Sequence, residues 1–186
     1  MKYDGEDTKT IIGDNAIIRE FVTINKGTAA YGKTVIGNNA LLMACTHIAH
    51  DCIVGDNVIM ANIATLGGHV EIGNWCNIGG GAMIHQFVKI GQQSLIGGGF
   101  SAKQDVPPFI IGAGIPLRFV GINKIGLERR GFASEKTELI KKAYRIYFKS
   151  KLNRGEAIQK IKYELQQTKE IKEIIEFIES SNRGII

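Results

Sequence analysis

Disulfide frameworks, zinc ribbons, membrane spans and long disordered linkers all need residues that this chain of 186 largely lacks. Its three cysteines, Cys45, Cys52 and Cys76, are odd in number and form no Cys-x-x-Cys pair, which argues against both a secreted disulfide scaffold and a ribbon-type metal site. Proline occurs only three times, so Pro-rich spacers are excluded. No stretch approaches ~18 consecutive apolar residues, and the opening "MKYDGEDTKT" is acidic and polar where an export leader is basic and then apolar. These absences predict a soluble, unexported protein of a reducing cytoplasm, without stable membrane insertion.

What the chain does have is glycine, 23 residues of it, and a hydrophobic content of 44%, enough for one good-sized domain or two modest ones. Every sixth residue from Ile12 is apolar: Ile12, Ile18, Ile24, Ala30, Ile36, Leu42, Ile48, Val54, Met60, Leu66, Ile72, Ile78, Ile84, Ile90, Ile96 and Ala102. Glycine often follows, as in "IIGDNA", "VIGNNA", "IVGDNV" and "EIGNWC", with a small or β-branched residue three places later. Neither an amphipathic helix, of period 3.6, nor an alternating strand, of period 2, holds that register. A six-residue period is the signature of a parallel β-helix, in which each hexad is one short side and three hexads make a coil. Five coils between residues 12 and 102 predict a prism ~24 Å tall at the usual strand spacing.

Segment 25–34, "NKGTAAYGKT", weakens the pattern without shifting its phase and reads as a bulging loop or an irregular coil. The paired prolines of "KQDVPPF", residues 103–109, are expected to stop the ladder. A division follows into 1–108 as β-helix, 109–133 as connector and 134–186 as a C-terminal α-helical domain. In the last, Leu139, Ile140, Ala143, Tyr144, Ile146 and Tyr147 mark one helical face, with Ser134 as a candidate N-cap. Asn153 and Gly155 are read as the break before a second helix at about 155–167. A third, at about 169–181, carries Ile171, Ile174, Ile175 and Ile178.

The net charge of +5 is unevenly placed. Residues 1–123 hold 8 Lys and Arg against 9 Asp and Glu, whereas 124–186 hold 15 against 9. Such a localised positive surface attracts an acidic partner, although a solvated lysine-rich helix face has the same composition.

All four histidines, His47, His50, His69 and His85, fall on the repeat and none at an inward position. Because one coil is eighteen residues, His50, Gly68 and Gln86 stack in one line, with His69 one residue beyond that line and His85 one before it. The patch suits a general base beside a supporting carboxylate, His50 with Asp51, since an adjacent carboxylate holds one imidazole tautomer. A metal held by three imidazoles with an open fourth position is the rival, against which stands the aspartate directly after His50. Gly68 in "LGGHV" is either a plain corner or a place where a substrate carbonyl approaches the backbone N–H.

The motifs "HIAHDC", "ATLGGHV", "IHQFVKIG", "QDVPPF" and "GLERRGF", in that order on a hexapeptide repeat ahead of a helical tail, resemble the bacterial UDP-N-acetylglucosamine O-acyltransferases of lipid A synthesis. The resemblance implies a left-handed parallel β-helix followed by a C-terminal helical domain, assembled as a homotrimer with active sites between subunits. It implies transfer of a 3-hydroxyacyl group from the phosphopantetheine of acyl carrier protein to UDP-N-acetylglucosamine, with no metal, no separate cofactor and no nucleic-acid partner. On its pattern His50 is the base, Asp51 its support and Gly68 the oxyanion donor. Lys2, His47, His69, His85, Gln86, Asn123, Arg129 and Arg130 bind substrate or carrier, and Leu95 and Gly98 line the acyl groove. Members of the family usually carry further coils before the point matching Met1. Three other readings remain open at this level: a metalloenzyme resembling the gamma carbonic anhydrases, the related N-acyltransferase of the same pathway, and a non-catalytic β-helix scaffold.

Overall fold

A computed structural model describes residues 5–186. Five coils of three short strands each form a triangular prism: β1 (Lys9–Ile12), β2 (Ile17–Ile18) and β3 (Thr23–Ile24); β4 (Lys33–Ile36), β5 (Leu41–Leu42) and β6 (His47–Ile48); β7 (Ile53–Val54), β8 (Ile59–Met60) and β9 (Thr65–Leu66); β10 (Glu71–Ile72), β11 (Asn77–Ile78) and β12 (Met83–Ile84); β13 (Lys89–Ile90), β14 (Leu95–Ile96) and β15 (Ser101–Ala102). The first strands of the coils pair in parallel as one face, β1-β4-β7-β10-β13, and the second and third strands make the other two. From the second coil on, partners lie eighteen residues apart, as in Ile36 with Val54 and Leu42 with Met60.

The hexad is explained by its core. Ile36, Val54, Ile72 and Ile90 stack behind the first face, Leu42, Met60, Ile78 and Ile96 behind the second, and Ile48, Leu66, Ile84 and Ala102 behind the third, none more than 3% exposed. Each fully buried aliphatic side chain contributes on the order of 1.5–3 kcal/mol relative to exposure. The small residue three places after glycine also points inward, as with Ala40, Val58 and Cys76, leaving space for the large side chains to meet on the axis. Within the first coil Ile12 and Ile18 remain 47% and 43% exposed.

That first coil is longer than the rest. Ile12 pairs with Ile36 and Ile24 with Ile48, twenty-four residues apart. One whole hexad therefore loops out between β3 and β4, and Ala30, apolar and in phase, is exposed instead of stacked. An insertion of six keeps the phase of the repeat while changing the coil count. The looped-out hexad, a third of a coil, therefore takes only ~1.6 Å from the ~24 Å rise expected between residues 12 and 102.

The glycines after the inward residue serve the edge between the first and second faces. There an Asp or Asn of one coil caps the backbone of the coil before it: Asp14 N–H donates to Asn38 Oδ1 at 2.8 Å, Asn38 N–H to Asp56 Oδ1 at 2.6 Å, and Asp56 N–H to Asn74 Oδ1 at 2.8 Å. A Cβ at Gly37 would lie 2.6 Å from Asp56 Oδ1, so Gly-Asx is the pair that lets this ladder form.

The prolines do not end the sheet. Val106 bridges Ile90, and β16 (Ile110–Ala113) continues the second face in parallel with β14. A turn then returns as the antiparallel β17 (Arg118–Ile122), and α1 (Lys124–Arg129) follows, so 109–133 carries structure of its own. Only ladder positions that must donate are closed to proline; Pro107 and Pro108 use their carbonyls, accepting from Ser94 Oγ and the Tyr144 hydroxyl.

Three helices close the chain: α2 (Ser134–Lys149), α3 (Arg154–Glu164) and α4 (Lys169–Ser180). The N-cap of α2 is Ala133, without a side-chain hydrogen bond, so Ser134 opens the helix and does not cap it. Gly155 lies inside the first turn of α3, whose capping box is Asn153 with Glu156. Ile171, Ile174, Ile175 and Ile178 of α4 are buried as their spacing requires. Phe119 stacks on Phe148 beside Tyr144, and Ser181 Oγ donates to Asp105 Oδ2 at 2.6 Å, tying the helices to the prism. No helix among the described residues is long and apolar enough to cross a membrane.

Candidate active site

At the edge between the third and first faces, each turn carries two residues that lie outside the axial core stacks. The first-position column is His50, Gly68 and Gln86; the second is Asp51, His69 and Phe87, all three with positive φ, from 60° to 64°. Eighteen-residue stacking thus brings His50, Asp51, Gly68 and His69 into one cluster. His50 Nδ1 meets Asp51 Oδ2 at 2.8 Å, and His69 Nε2 lies 3.8 Å from the same oxygen. The His50 and His69 rings meet edge to face at 5.1 Å, and His69 stacks on Phe87 at 4.5 Å.

Asp51 is completely buried at its side chain, while the His50 side chain is 35% exposed. Burial pushes the Asp51 carboxyl up, but hydrogen bonds from the Thr28 hydroxyl and N–H and from His50, with the His69 ring nearby, outweigh it and hold the group below the usual carboxylate range. An ionised carboxylate only accepts, so in the neutral ring of His50 the proton sits on Nδ1 and the lone pair is on Nε2. That is the tautomer of a base.

Gly68 lies directly against this ring. A Cβ there would be 2.7 Å from His50 Cε1 and 2.9 Å from Nε2. Its carbonyl accepts from Phe87 N–H, while its own N–H has no acceptor among the described residues. A free backbone donor therefore sits beside a free imidazole nitrogen, the pairing that acyl transfer requires.

His47 Nδ1 contacts Thr23 Oγ1 at 2.7 Å on the third face. His85 Nδ1 lies 3.2 Å from both the Gln86 carbonyl and an Arg183 guanidinium nitrogen, contacts that exclude each other within one tautomer. Gln86 is exposed at the top of the His50 column. Elsewhere, Asn123 is buried with both amide atoms engaged, its Oδ1 capping α1 at Gly126 and its Nδ2 donating to the Gln93 carbonyl. Arg130 donates to Gln93 Oε1 at 2.8 Å and lies 5.3 Å over Trp75, whereas Arg129 is exposed. Leu95 pairs with Asn77 and Ile111 on the second face, and a Cβ at Gly98 would sit 3.1 Å from the Gly80 carbonyl. None of these five joins the His50 edge within one chain. Lys2 lies outside the described residues.

Thr28, Tyr31 and Phe87 went unremarked in the sequence. Phe87 is eighteen residues from His69, so coil arithmetic finds it. Thr28 and Tyr31, on the looped-out hexad, have no such address; Tyr31 lies 5.3 Å from the His69 ring.

Other chemistry at the edge is narrower. Among the described residues, His50, Asp51 and His69 form the group whose ligand atoms come within 4.8 Å of one another, and such a set can hold a divalent ion. Yet Asp51 already accepts from Thr28 Oγ–H, Thr28 N–H and His50, so a metal there displaces existing donors. The buried thiols offer no nucleophile: burial pushes Cys52 up to about 11 and Cys76 up to about 12.

The family model for domain 2 of UDP N-acetylglucosamine O-acyltransferase matches residues 105–186, and the bacterial transferase hexapeptide model of six repeats matches 33–68. Among curated relatives, the acyl-(acyl-carrier-protein)-UDP-N-acetylglucosamine O-acyltransferase of Myxococcus xanthus is 42% identical over 186 residues, covering 100% of this chain and 72% of its own length. That of Burkholderia mallei is 45% identical over 192 residues, covering 100% and 73%. Among solved structures, the UDP-N-acetylglucosamine acyltransferase from Bacteroides fragilis superposes with a TM-score of 0.97 at 44% identity, over 99% of this chain and 72% of that one. The enzyme from Francisella novicida does so at 0.95 and 34%, over 100% and 68%. With similarity along its whole length and the histidine edge assembled on the hexapeptide prism, the chain belongs to the UDP-N-acetylglucosamine O-acyltransferase family.

Proposed function

We propose that this chain transfers a (R)-3-hydroxyacyl group from acyl carrier protein to the glucosamine 3-hydroxyl of UDP-N-acetylglucosamine, the first step of lipid A biosynthesis, with His50 as general base. The sugar oxygen attacks the thioester carbon while its proton passes to His50 Nε2. Charge gathers on the carbonyl oxygen beside the Gly68 N–H. The C–S bond then breaks, and the proton moves from Nε2 to the departing sulfur. No covalent acyl-enzyme forms and no metal takes part; positioning, a base and an oxyanion donor suffice. The observation that carries this reading is the His50 ring, held by Asp51 at 2.8 Å and packed against a glycine whose N–H has no acceptor among the described residues.

Substrate contacts complete the picture. His47, His69, His85 and Gln86 surround the base on the same face and edge and are assigned to the sugar nucleotide and the acyl amide or hydroxyl. Leu95 and Gly98 lie on and beside the second face and Asn123, Arg129 and Arg130 at α1, so a homotrimer that sets one subunit's edge against another's second face supports their assignment to nucleotide, carrier and acyl chain. Acyl carrier protein is acidic. On α2, Lys142, Arg145 and Lys149 form one exposed stripe at helical spacing with no acidic partner among the described residues, a surface suited to it in the cytoplasm.

The test is transfer from 3-hydroxyacyl carrier protein to UDP-N-acetylglucosamine by the chain and by His50→Ala, with and without chelator. Loss of a general base lowers the rate by about 10²–10⁴-fold. The expected result is chelator-resistant transfer that falls by that factor in the variant. Chelator-sensitive transfer, or an unchanged variant, overturns the base assignment.

A further inference from the structure

The looped-out hexad of the first coil has a structural purpose that its sequence does not advertise. It leaves the prism wall after β3 and rejoins it at Lys33. Gly27 sits at the crossing, where an added Cβ would overlap the Lys33 backbone. The loop is closed on itself by Gly32 N–H donating to the Thr28 carbonyl at 2.6 Å, and anchored to the wall by Gly27 N–H donating to the Lys9 carbonyl at 3.1 Å. Its tip reaches across to the second coil. There the Thr28 N–H donates to Asp51 Oδ1 at 2.8 Å and the Thr28 hydroxyl to Oδ2 at 2.6 Å.

Both oxygens of the buried carboxylate are thus held from one residue. Thr34 Oγ1 accepts from the Asp51 N–H at 2.8 Å and fixes the backbone below. With Thr28 pinning the plane of the carboxylate, Oδ2 has one direction left in which to accept, and His50 Nδ1 fills it. Two donors on one carboxylate define its orientation where a single donor would leave it free to rotate.

We infer that Thr28, delivered by the inserted hexad, is a positioning residue for His50: it orients Asp51 so that the imidazole proton stays on Nδ1 and Nε2 faces the substrate. The inference rests on the proposed acyl transfer for its kinetic consequence but not for its structural one. Thr28 does not touch the reacting atoms. Without its hydroxyl, the residue-28 N–H still holds Oδ1, but Oδ2 is left open to the His69 ring, whose Nε2 lies 3.8 Å away, and with His69 competing for that oxygen the His50 ring samples both tautomers.

The experiment compares wild type, Thr28→Ser, Thr28→Val and Thr28→Ala in the transfer assay. Outer partners that orient metal-bound histidines are worth roughly 10- to 100-fold in activity, and Thr28 orients the catalytic histidine in the same way. The expected result is a kcat loss of that size in the valine and alanine variants, KM for both substrates within about twofold, and recovery in the serine variant, which keeps the hydroxyl. Alanine, smaller than threonine, gives the same reading if valine disturbs the loop. A valine variant as fast as wild type, a loss confined to KM, or a serine variant as slow as valine overturns the inference. Each chain is also examined by ¹⁵N NMR of its histidines, which reads the tautomer without any turnover. One Nδ1-protonated form of His50 in wild type and serine, with a mixture in valine and alanine, supports the inference even where no chain transfers acyl groups and the proposed function falls. The same His50 tautomer in all four chains sinks it.

Discussion

Two edges of the same prism are built from the same turn and do opposite things. Between the first and second faces, the chain answers its own backbone: the N–H of Asp14, Asn38 and Asp56 each finds an Asx oxygen from the next coil. Between the third and first faces the equivalent residues are His50, Gly68 and Gln86, whose N–H groups have no acceptor among the described residues. A turn that satisfies its own donors is closed and stabilising. A turn that leaves them facing outward remains available to a ligand. The difference lies in what occupies this turn position: an Asx whose oxygen reaches the coil before it on one edge, and His50, Gly68 or Gln86, which supply no such acceptor, on the other.

The largest way to break this contrast is a pair of glycine substitutions with reciprocal outcomes. Gly68→Ala places a methyl against the His50 ring, the movable end of a side chain, so the fold accommodates it and the base is displaced. Transfer is expected to fall roughly 10²-fold, with melting temperature nearly unchanged. Gly55→Ala, on the closed edge, meets both Asn74 Oδ1 and the Asn74 backbone nitrogen, the latter at 2.9 Å. A backbone cannot step aside as cheaply, so this variant loses about 1–3 kcal/mol while transfer per folded molecule is kept. Calorimetry and initial rates on both variants read the two effects; matching losses in both would dissolve the distinction between the edges.

A smaller effect sharpens it. Asp56→Ala removes one rung of the ladder, leaving the Asn38 N–H unanswered, and is expected to lower stability by about 1–2 kcal/mol, or roughly 2–8 °C in melting temperature for a chain of this size. Asp56→Asn, which retains the oxygen, should stay close to wild type. The smallest effect is a null. Cys52 and Cys76 lie beneath the two edges, and each donates its Sγ–H to a glycine carbonyl, Gly67 and Gly91, at 3.1 Å. Cys52→Ala and Cys76→Ala are expected to cost about the same, on the order of 1 kcal/mol each, because the layer under the edges is alike and only the surface differs.

Much of this architecture can be read from spacing. Inward residues recur at six, columns at eighteen, and both survive translation into three dimensions, so the core and the line from His50 to Gln86 follow by counting. Counting fails where the coil length changes. Ala30 satisfies the hexad and yet lies outside the wall, because six extra residues are invisible to a period of six. Thr28 and Tyr31 are lost with it, since a loop has no columnar address. The paired prolines leave the ladder intact for a different reason: proline blocks donation, not acceptance, and at 107 and 108 only carbonyls are used. Ser134 failed as a cap because Ala133 already holds the extended conformation at the entrance to α2. The amphipathic pattern of α4 had no competing signal and was legible throughout.

Nearly every corner of the prism also places its second residue at positive φ, whatever that residue is: Asn39, Cys45, Asp51, Ile63, His69, Trp75 and Phe87 share one backbone state. For L-residues that state carries a penalty of about 1–2 kcal/mol, and for Ile63 it is a marked outlier. The ladders above and below impose it, so the conformation does not depend on the side chain that occupies it. Structure and chemistry are thereby decoupled at these points. Where such a second residue is exposed it can change without renegotiating the fold, and a functional group installed there inherits a fixed height and direction from the coil that carries it. In such a scaffold new activities arise by substitution at preset addresses, with no backbone to redesign.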